Sequence, residues 1–493
     1  MLILITSTAI FLTIFYYYWT KNYNHWENKG VPCMDRNFPF GSIKRLLLMQ
    51  TNLVNFLNEA YTKYTFAKAV GFYALRQPML IVKDLDLIKD VLVKDFNVFA
   101  DNGFVTYESV DALIGLNSFT LRGAAWKPNR AVQSPAHRIS KIKLMVPLMA
   151  KTAQNFVEFV SQQTEEICVN VVSRFYTIDT VASCAFGVNN DSFFDKNSQF
   201  LKNTLGQLFS DSNAGALSAF FAPWFSLIFR TRIIQKRAED FFLYLADELL
   251  SQRKRSTTPG NDLVQHLLFL QEKSAKEGTP LLKPIEIAAQ LMTFYLDGTE
   301  TASIALSFIL FEIAAHEDIQ KQLRDEIMSA GESLEEFNFE KLWSLEYLNM
   351  VITESLRAHP PIPLLSRICL EDYTMNGVKI EKGTKVFIPV FAIHNDPDIY
   401  PCPYQFKPER FSKVNRASQN NYSYLPFGEG PRICVGFKFA LTEIKMAVVA
   451  LLLNFKLTLS SRHSTKRIIP DDRSSFVYTS KDDLYIRFHK YNK

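Results

Sequence analysis

The sequence predicts a mainly α-helical protein with a minor β-sheet region, and three observations carry that prediction. Helix-period apolar patterns run over Lys141 to Gln163, over Lys236 to Arg253 and through a long segment after Pro284. Strand signals are fewer: Met79-Leu80-Ile81-Val82, the stretch Tyr373 to Ile380 with its Asn376-Gly377 hairpin turn, and the alternating Lys385 to Val390 beside it. No alternating βαβ pattern appears, which argues against a doubly wound sheet or a β/α barrel.

Composition describes a folded chain with a large interior. Of 493 residues, 47 % are hydrophobic and 21 % charged, which excludes a disordered chain and a multi-span membrane protein. Lys plus Arg number 55 against 50 Asp plus Glu, and a net charge of +5 does not announce a nucleic-acid binder. Six Cys in such a chain form no disulfide framework and read as reduced, mostly packing residues. The 41 Phe point to much aromatic interior. At about 150 residues per domain the length alone suggests three domains. With no repeat, low-complexity tract or long linker, residues 46–493 read instead as one body.

Leu2 to Trp19 is an uncharged, mostly apolar run. As a helix it would span about 27 Å, close to the roughly 30 Å hydrocarbon core of a bilayer. It has no basic leader and no small-x-small cleavage site, and it ends in Tyr16-Tyr17-Tyr18-Trp19, which suits a membrane interface. Residues 1–20 therefore read as a single uncleaved transmembrane anchor. Lys21, Lys29, Arg36, Lys44 and Arg45 follow it and place the body in the cytosol. Residues 21–45, with Gly30, Pro32, Pro39 and Gly41, read as a linker.

Pro284 suits the first turn of a helix. From Ile287 to Ala315 the only charges are Asp297, Glu300 and Glu312, so this helix is central and buried. Asp297, Glu300 and Thr301 fall three and four apart on one face. Gly298 and β-branched Thr299 weaken the helix where a backbone distortion would serve a site. Threonine hydroxyls bonded back to carbonyls are the plainer alternative. Carboxylates amid so much apolar sequence are costly without a purpose, so the island reads as functional.

Most lone cysteines are inert small hydrophobes, as Cys33, Cys168, Cys184, Cys369 and Cys402 are expected to be. Cys434 sits in Phe427-Gly428-Glu429-Gly430-Pro431-Arg432-Ile433-Cys434-Val435-Gly436, ahead of an amphipathic helix to Leu453. Gly430 and Gly436 permit a tight turn and close approach. The free N–H groups of the helix start, with Arg432 nearby, favour thiolate. A lone thiolate, with neither a second Cys nor a His at zinc spacing, suits one axial bond to haem iron.

The pattern Phe427-x-x-Gly430-x-Arg432-x-Cys434-x-Gly436 resembles the haem-binding signature of the cytochrome P450 family. Glu354-Ser355-Leu356-Arg357 is similar to the family's E-x-x-R, Pro408-Glu409-Arg410-Phe411 to its P-E-R-F, and Trp126 with Arg130 to its W-x-x-x-R. The island at 297–301 resembles the oxygen-binding groove of the family's long helix. The likeness extends over essentially the whole chain, anchor included. Tyr424 to Arg432 is most similar to microsomal, insect-type enzymes that oxidise foreign compounds.

This resemblance implies the cytochrome P450 fold, haem b as cofactor with Cys434 as axial ligand, and an NADPH- and O2-dependent monooxygenase of the endoplasmic reticulum. It implies that Trp126, Arg130, Arg367 and Arg432 hold the haem propionates, and that Glu354, Arg357 and Arg410 brace the thiolate loop. Thr301 and Glu300 match the family's acid–threonine proton relay. Asp297 departs from the pattern, standing where most members carry Ala or Gly. A fatty-acid-oxidising branch carries Glu there and can form an ester with a haem methyl. Asp is one methylene shorter, so contact with substrate or ordered water, or pairing in the groove, is the favoured reading.

The family's pocket segments correspond here to Phe104 to Phe119, the stretch around Phe220, Phe221 and Trp224, Ile362 to Leu365, and Phe476 to Tyr478. Phe104, Phe119, Phe221, Leu364, Leu365, Phe476 and Val477 are the expected lining, and an apolar substrate entering from the membrane lipid is the expected ligand. The expected redox partner is a diflavin NADPH–cytochrome P450 reductase, with cytochrome b5 as a further candidate. Arg138, Lys141, Lys143, Lys438 and Lys445 are the candidate docking cations. Two other readings stay open: the same chemistry on an endogenous lipid or hormone, and a haem-thiolate isomerase or dehydratase, which usually lacks the acid–threonine pair.

Overall fold

The computed structural model describes residues 1–195, 197–204, 214–256, 260, 262–278, 282–474 and 476–491. Helices dominate, and many begin and end where local chemistry dictates. Asn52, Asp84 and Asp262 accept backbone N–H groups at the starts of Leu53–Lys63, Leu85–Lys89 and Leu263–Glu277. Gly187 and Gly278, both left-handed, end Val169–Phe186 and Leu263–Glu277.

The central helix spans Pro284–Ala315 and is buried along most of its length. Val169–Phe186 lies against it, and a Cβ at Gly298 would stand 3.0 Å from Val181 Cγ2, so the glycine serves close helix packing. The expected distortion at Gly298-Thr299 is absent, for the helix stays α throughout. Thr299 and Thr301 instead donate back to the Tyr295 and Asp297 carbonyls, at 2.8 and 2.9 Å, and Thr177 donates to the Thr299 carbonyl at 3.1 Å.

The main sheet has five strands in the order Ala69–Ala74, Gln77–Val82, Lys385–Ile388, Leu365–Ile368, Asp101–Asn102. Its one parallel pairing joins Gln77–Val82 to Lys385–Ile388, and the rest are antiparallel. Lys385–Ile388 is buried on both faces rather than half-exposed, because it sits in the middle of this sheet. The hairpin Tyr373–Met375 and Val378–Ile380 forms its own small sheet, with Asn376 and Gly377 both at positive φ as that turn requires. A third sheet joins Ile167–Cys168, Tyr485–Lys490 and Phe455–Leu459.

The N-terminal helix Leu2–Thr20 contains no buried residue and is apolar and long enough to cross a membrane. Its C-terminal part touches the body: the rings of Phe15 and Tyr16 meet that of Phe38, Trp19 Nε1 donates to the Pro39 carbonyl at 2.6 Å and Arg76 stacks on Tyr18. The segment expected as a linker over 21–45 is not free chain. Trp26 is fully buried, Met34 N donates to Gly71 O at 2.9 Å, and Gly71 N donates to Pro32 O at 2.7 Å. A Cβ at Gly71 would collide with the Trp26 ring, so the segment is fitted to the sheet edge. A similar correction applies to Phe437–Asn454 after the cysteine loop. It is buried nearly all round rather than amphipathic, Glu443 and Lys445 included.

Candidate functional site

The cysteine loop is shaped by two left-handed glycines, Gly428 and Gly430. At Gly430 a Cβ would collide with the Leu92 carbonyl, so no larger residue fits. Gly436 has ordinary φ and caps the following helix; Gly428 is the turn glycine that the sequence reading missed. Cys434 N donates to the Phe427 carbonyl at 2.9 Å, closing the loop, and the Phe427 ring lies 5.9 Å from that of Phe437.

The Cys434 side chain is exposed, yet protein surrounds it, because it opens on an internal chamber. Burial pushes its pKa up to about 11, against the backbone N–H groups of Gly436 and Phe437 and the charge of Arg130. The expectation that the helix start would favour thiolate is half right: those amides do point at the sulfur, but burial outweighs them. Arg130 is the cation that matters to the thiol, where Arg432 was expected.

Three guanidinium groups gather beside the loop. Arg130 Nη2 donates to the Ile433 carbonyl at 2.5 Å. Arg432 donates to the Leu121 carbonyl at 2.9 Å, lies over the Trp126 ring at 4.4 Å and stands 3.7 Å from Asp101. Arg367 is 3 % exposed and, among the described residues, donates only to the Ser366 carbonyl, and the Nε atoms of Arg367 and Arg432 have no hydrogen-bond partner there. Burial, with repulsion from Arg432, pulls the Arg367 pKa down to about 9, and burial pulls Arg432 to about 10. One buried and two half-buried cations, with Asp101 the one carboxylate in ion-pair contact with them among the described residues, suit a bound group that carries two more, which is what the propionates of haem supply.

Behind the loop, Glu354 and Arg357 are both fully buried and joined by two hydrogen bonds of 2.7 and 3.0 Å. Arg410 Nε reaches Glu354 at 3.3 Å, and its remaining nitrogens donate to the Pro401, Cys402 and Gln405 carbonyls. Arg357 also donates to the carbonyls of His394 and Pro403. His394, which the sequence reading did not single out, accepts from Leu425 N at 2.8 Å and stacks on Tyr424. It ties this lattice to the chain that enters the cysteine loop.

Across the chamber lies the central helix. Asp297 is exposed to the chamber, and burial pushes its pKa up to about 7 against Arg130 and Asn117. Thr301 stands one turn further on. Glu300, expected on the same face, turns instead to Arg174, with which it forms a 2.9 Å ion pair. Arg174 comes from the neighbouring helix, so only tertiary packing could reveal it.

Phe104 joins the aromatic cluster through Phe119, Phe220 and Phe476, with ring centroids 5.7, 4.8 and 5.1 Å away. Phe221 does not belong to the expected lining: it is buried against Phe72 and Phe387 in the sheet core, and Phe220 takes the position facing Phe104. Leu364 is buried in the same core, while half-buried Leu365 lies beside Gly428. Val477 packs on the helical core. Of the docking cations, Lys445 is buried and capped by the Trp343 ring at 3.8 Å, so it faces no partner, and Lys143 pairs with Glu340. Arg138 is exposed, and Lys141 and Lys438 are half-buried.

A family model described as "Cytochrome P450" matches residues 32–486. The chain belongs to the cytochrome P450 family. It is a haem-b monooxygenase enzyme. Cytochrome P450 6j1 of Blattella germanica is 33 % identical over 99 % of both chains. Cytochrome P450 6a2 of Drosophila melanogaster is 31 % identical over 99 % of this chain and 100 % of its own. Cytochrome P450 3A28 of Bos taurus is 34 % identical over 91 % of this chain and 88 % of its own. The orphaned guanidinium atoms and the enclosed thiol are the features of this P450 that fit the haem.

Proposed function

We propose that this cytochrome P450 inserts one oxygen atom from O2 into apolar small molecules, foreign compounds foremost, by hydroxylation, dealkylation or epoxidation. NADPH supplies electrons through a diflavin reductase, with cytochrome b5 as a further donor. The helix Leu2–Thr20 anchors the enzyme in the endoplasmic reticulum membrane, with the body, residues 21–45 included, in the cytosol. The observation that carries the reading is the meeting of the Cys434 loop, the three arginines and the Asp297–Thr301 stretch at one enclosed chamber.

Cys434 Sγ would be the ligand to iron, and Trp126, Arg130, Arg367 and Arg432 would hold the propionates. Bound there, haem supplies the redox chemistry that activates dioxygen. Glu354, Arg357 and Arg410 fix the loop from behind, so that the sulfur is presented without rearrangement. The Thr301 hydroxyl passes protons into the chamber, and Glu300, beside it in the chain and held by Arg174, is the acidic member of the relay, reached from the Arg174 side. The aromatic cluster of Phe104, Phe119, Phe220 and Phe476 excludes water and favours apolar ligands. Exposed Trp224, Leu227, Ile228 and Phe229 suit contact with lipid near the entrance.

The test is reduced carbon monoxide difference spectroscopy on membranes, followed by product formation with NADPH and reductase. The wild type gives the thiolate-type Soret band and Cys434→Ala loses it. A folded wild-type protein without that band would refute the haem-thiolate assignment; product formation independent of NADPH would refute the electron route.

A further inference from the structure

Asp297 is an acid in the chamber without a counter-ion. Among the described residues it makes no ion pair, whereas Glu300 on the same helix is paired with Arg174 and Asp101 stands by Arg432. The cation that most strongly influences it, Arg130, donates to the Ile433 carbonyl and belongs with the arginine set around the cofactor's carboxylates. Asn117 is 1 % exposed and brings its amide towards Asp297, but its Nδ2 has no complete hydrogen bond. Acceptor capacity at Asp297 is therefore left for a ligand, and Asn117 offers a second buried polar atom beside it.

Aromatic rings follow Asn117 closely in the chain. Phe119 follows Asn117 by two residues in the same loop, is 37 % exposed, and meets Phe104 and Phe476. Aromatic faces attract cations, and an enclosed carboxylate gains most from a partner of opposite charge. A neutral apolar ligand would leave the carboxyl group enclosed and without a partner, whereas an ammonium would pair with its ionised form.

We propose that Asp297 is a specificity determinant that selects lipophilic substrates carrying a protonated amine, with the ammonium on its carboxylate and the apolar body against Phe104, Phe119 and Phe476. This rests on reading the chamber over Cys434 as the substrate site.

The experiment measures dissociation constants of haem-loaded full-length enzyme at about pH 8, where Asp297 is ionised and the amine probe still protonated, by Soret shift and by equilibrium dialysis. The probes are 1-tert-butyl-4-phenylpiperidine, whose hindered nitrogen cannot ligate iron, and its carbon isostere 1-tert-butyl-4-phenylcyclohexane. The wild type prefers the amine by about tenfold or more, and Asp297→Asn lowers that preference ratio by about tenfold. Asp297→Glu keeps the charge and keeps the preference. A wild-type ratio near one, or a ratio unchanged in Asp297→Asn, overturns the proposal. Should Asp297→Asn load haem poorly, the wild-type and Asp297→Glu ratios decide by the same criterion. If neither probe binds an enzyme with a normal carbon monoxide band, the chamber is not the substrate site and both readings fall. If the isostere binds and the amine gains nothing, only the Asp297 assignment falls.

Discussion

Arg367 illustrates how a single residue can oppose the bare fold and serve the loaded one. It is buried beside Arg432, and its Nε has no hydrogen-bond partner among the described residues. Burying a cation unpaired is unfavourable, so Arg367→Met leaves the haem-free protein as stable or raises its Tm. The loaded enzyme responds in the other direction. A charge-assisted hydrogen bond is worth about 1.5–3 kcal/mol, so haem leaves the variant roughly tenfold to a hundredfold faster. Transfer of haem to a scavenging apoprotein measures that rate, and unchanged release would remove Arg367 from the propionate set. At this scale the chain was partly legible. Cys434, Glu354, Arg357 and Arg410 stand in short motifs whose spacing is itself the signal. Glu300 was misplaced on the face of Asp297 because its partner Arg174 lies 126 positions away, and no local spacing announces such a pair.

At the scale of elements, the helix Phe437–Asn454 carries an avoidable cost. Lys445 is buried, has no hydrogen-bond partner among the described residues and rests on the Trp343 ring. Burial pulls its pKa down to about 7 from 10.5. Between those values the unfolded chain binds the proton and the folded chain does not, so this residue makes stability rise with pH across that window. Below about pH 7 the folded protein must carry the buried charge, and the cost is fully present. Lys445→Met removes it: at pH 6 the variant gains about 1–3 kcal/mol, and its Tm depends less on pH between about 7 and 9. Calorimetry across that range checks both, and a steeper pH dependence in the variant would reverse the assignment. Element positions were legible where periodicity was strong, as in Pro284–Ala315 and the Asn376-Gly377 hairpin. The polar residues of Phe437–Asn454 gave the look of an exposed face, because sequence pattern cannot tell a solvated lysine from one covered by a remote tryptophan.

For the whole molecule, the anchor and the body are separable. Leu2–Thr20 has no fully buried residue, and the contacts with the body described for it begin at Phe15 and Tyr16, whose rings meet Phe38, and continue at Tyr18 and Trp19. Removing residues 2–17 converts carbonate-resistant membrane association into association released by salt or carbonate, with the carbon monoxide band retained. Sedimentation with spectroscopy of both fractions checks this. Loss of the band on truncation would mean that the helix supports the fold. Residual peripheral binding is expected from Trp224 to Phe229.

Periodicity, turn chemistry and motif spacing by themselves determined a mainly helical body with a minor sheet, an apolar leading helix and a cysteine loop suited to haem, since each depends on residues close in the chain. Tertiary structure decided which charges meet a partner and which aromatic rings line the chamber. It packed residues 21–45 on the sheet, put Phe220 rather than Phe221 against Phe104, paired Glu300 with Arg174, and left Asp297 without an ion-pair partner among the described residues. Burial and pairing are properties of surfaces brought together from distant segments, and only the assembled fold brings those surfaces into contact.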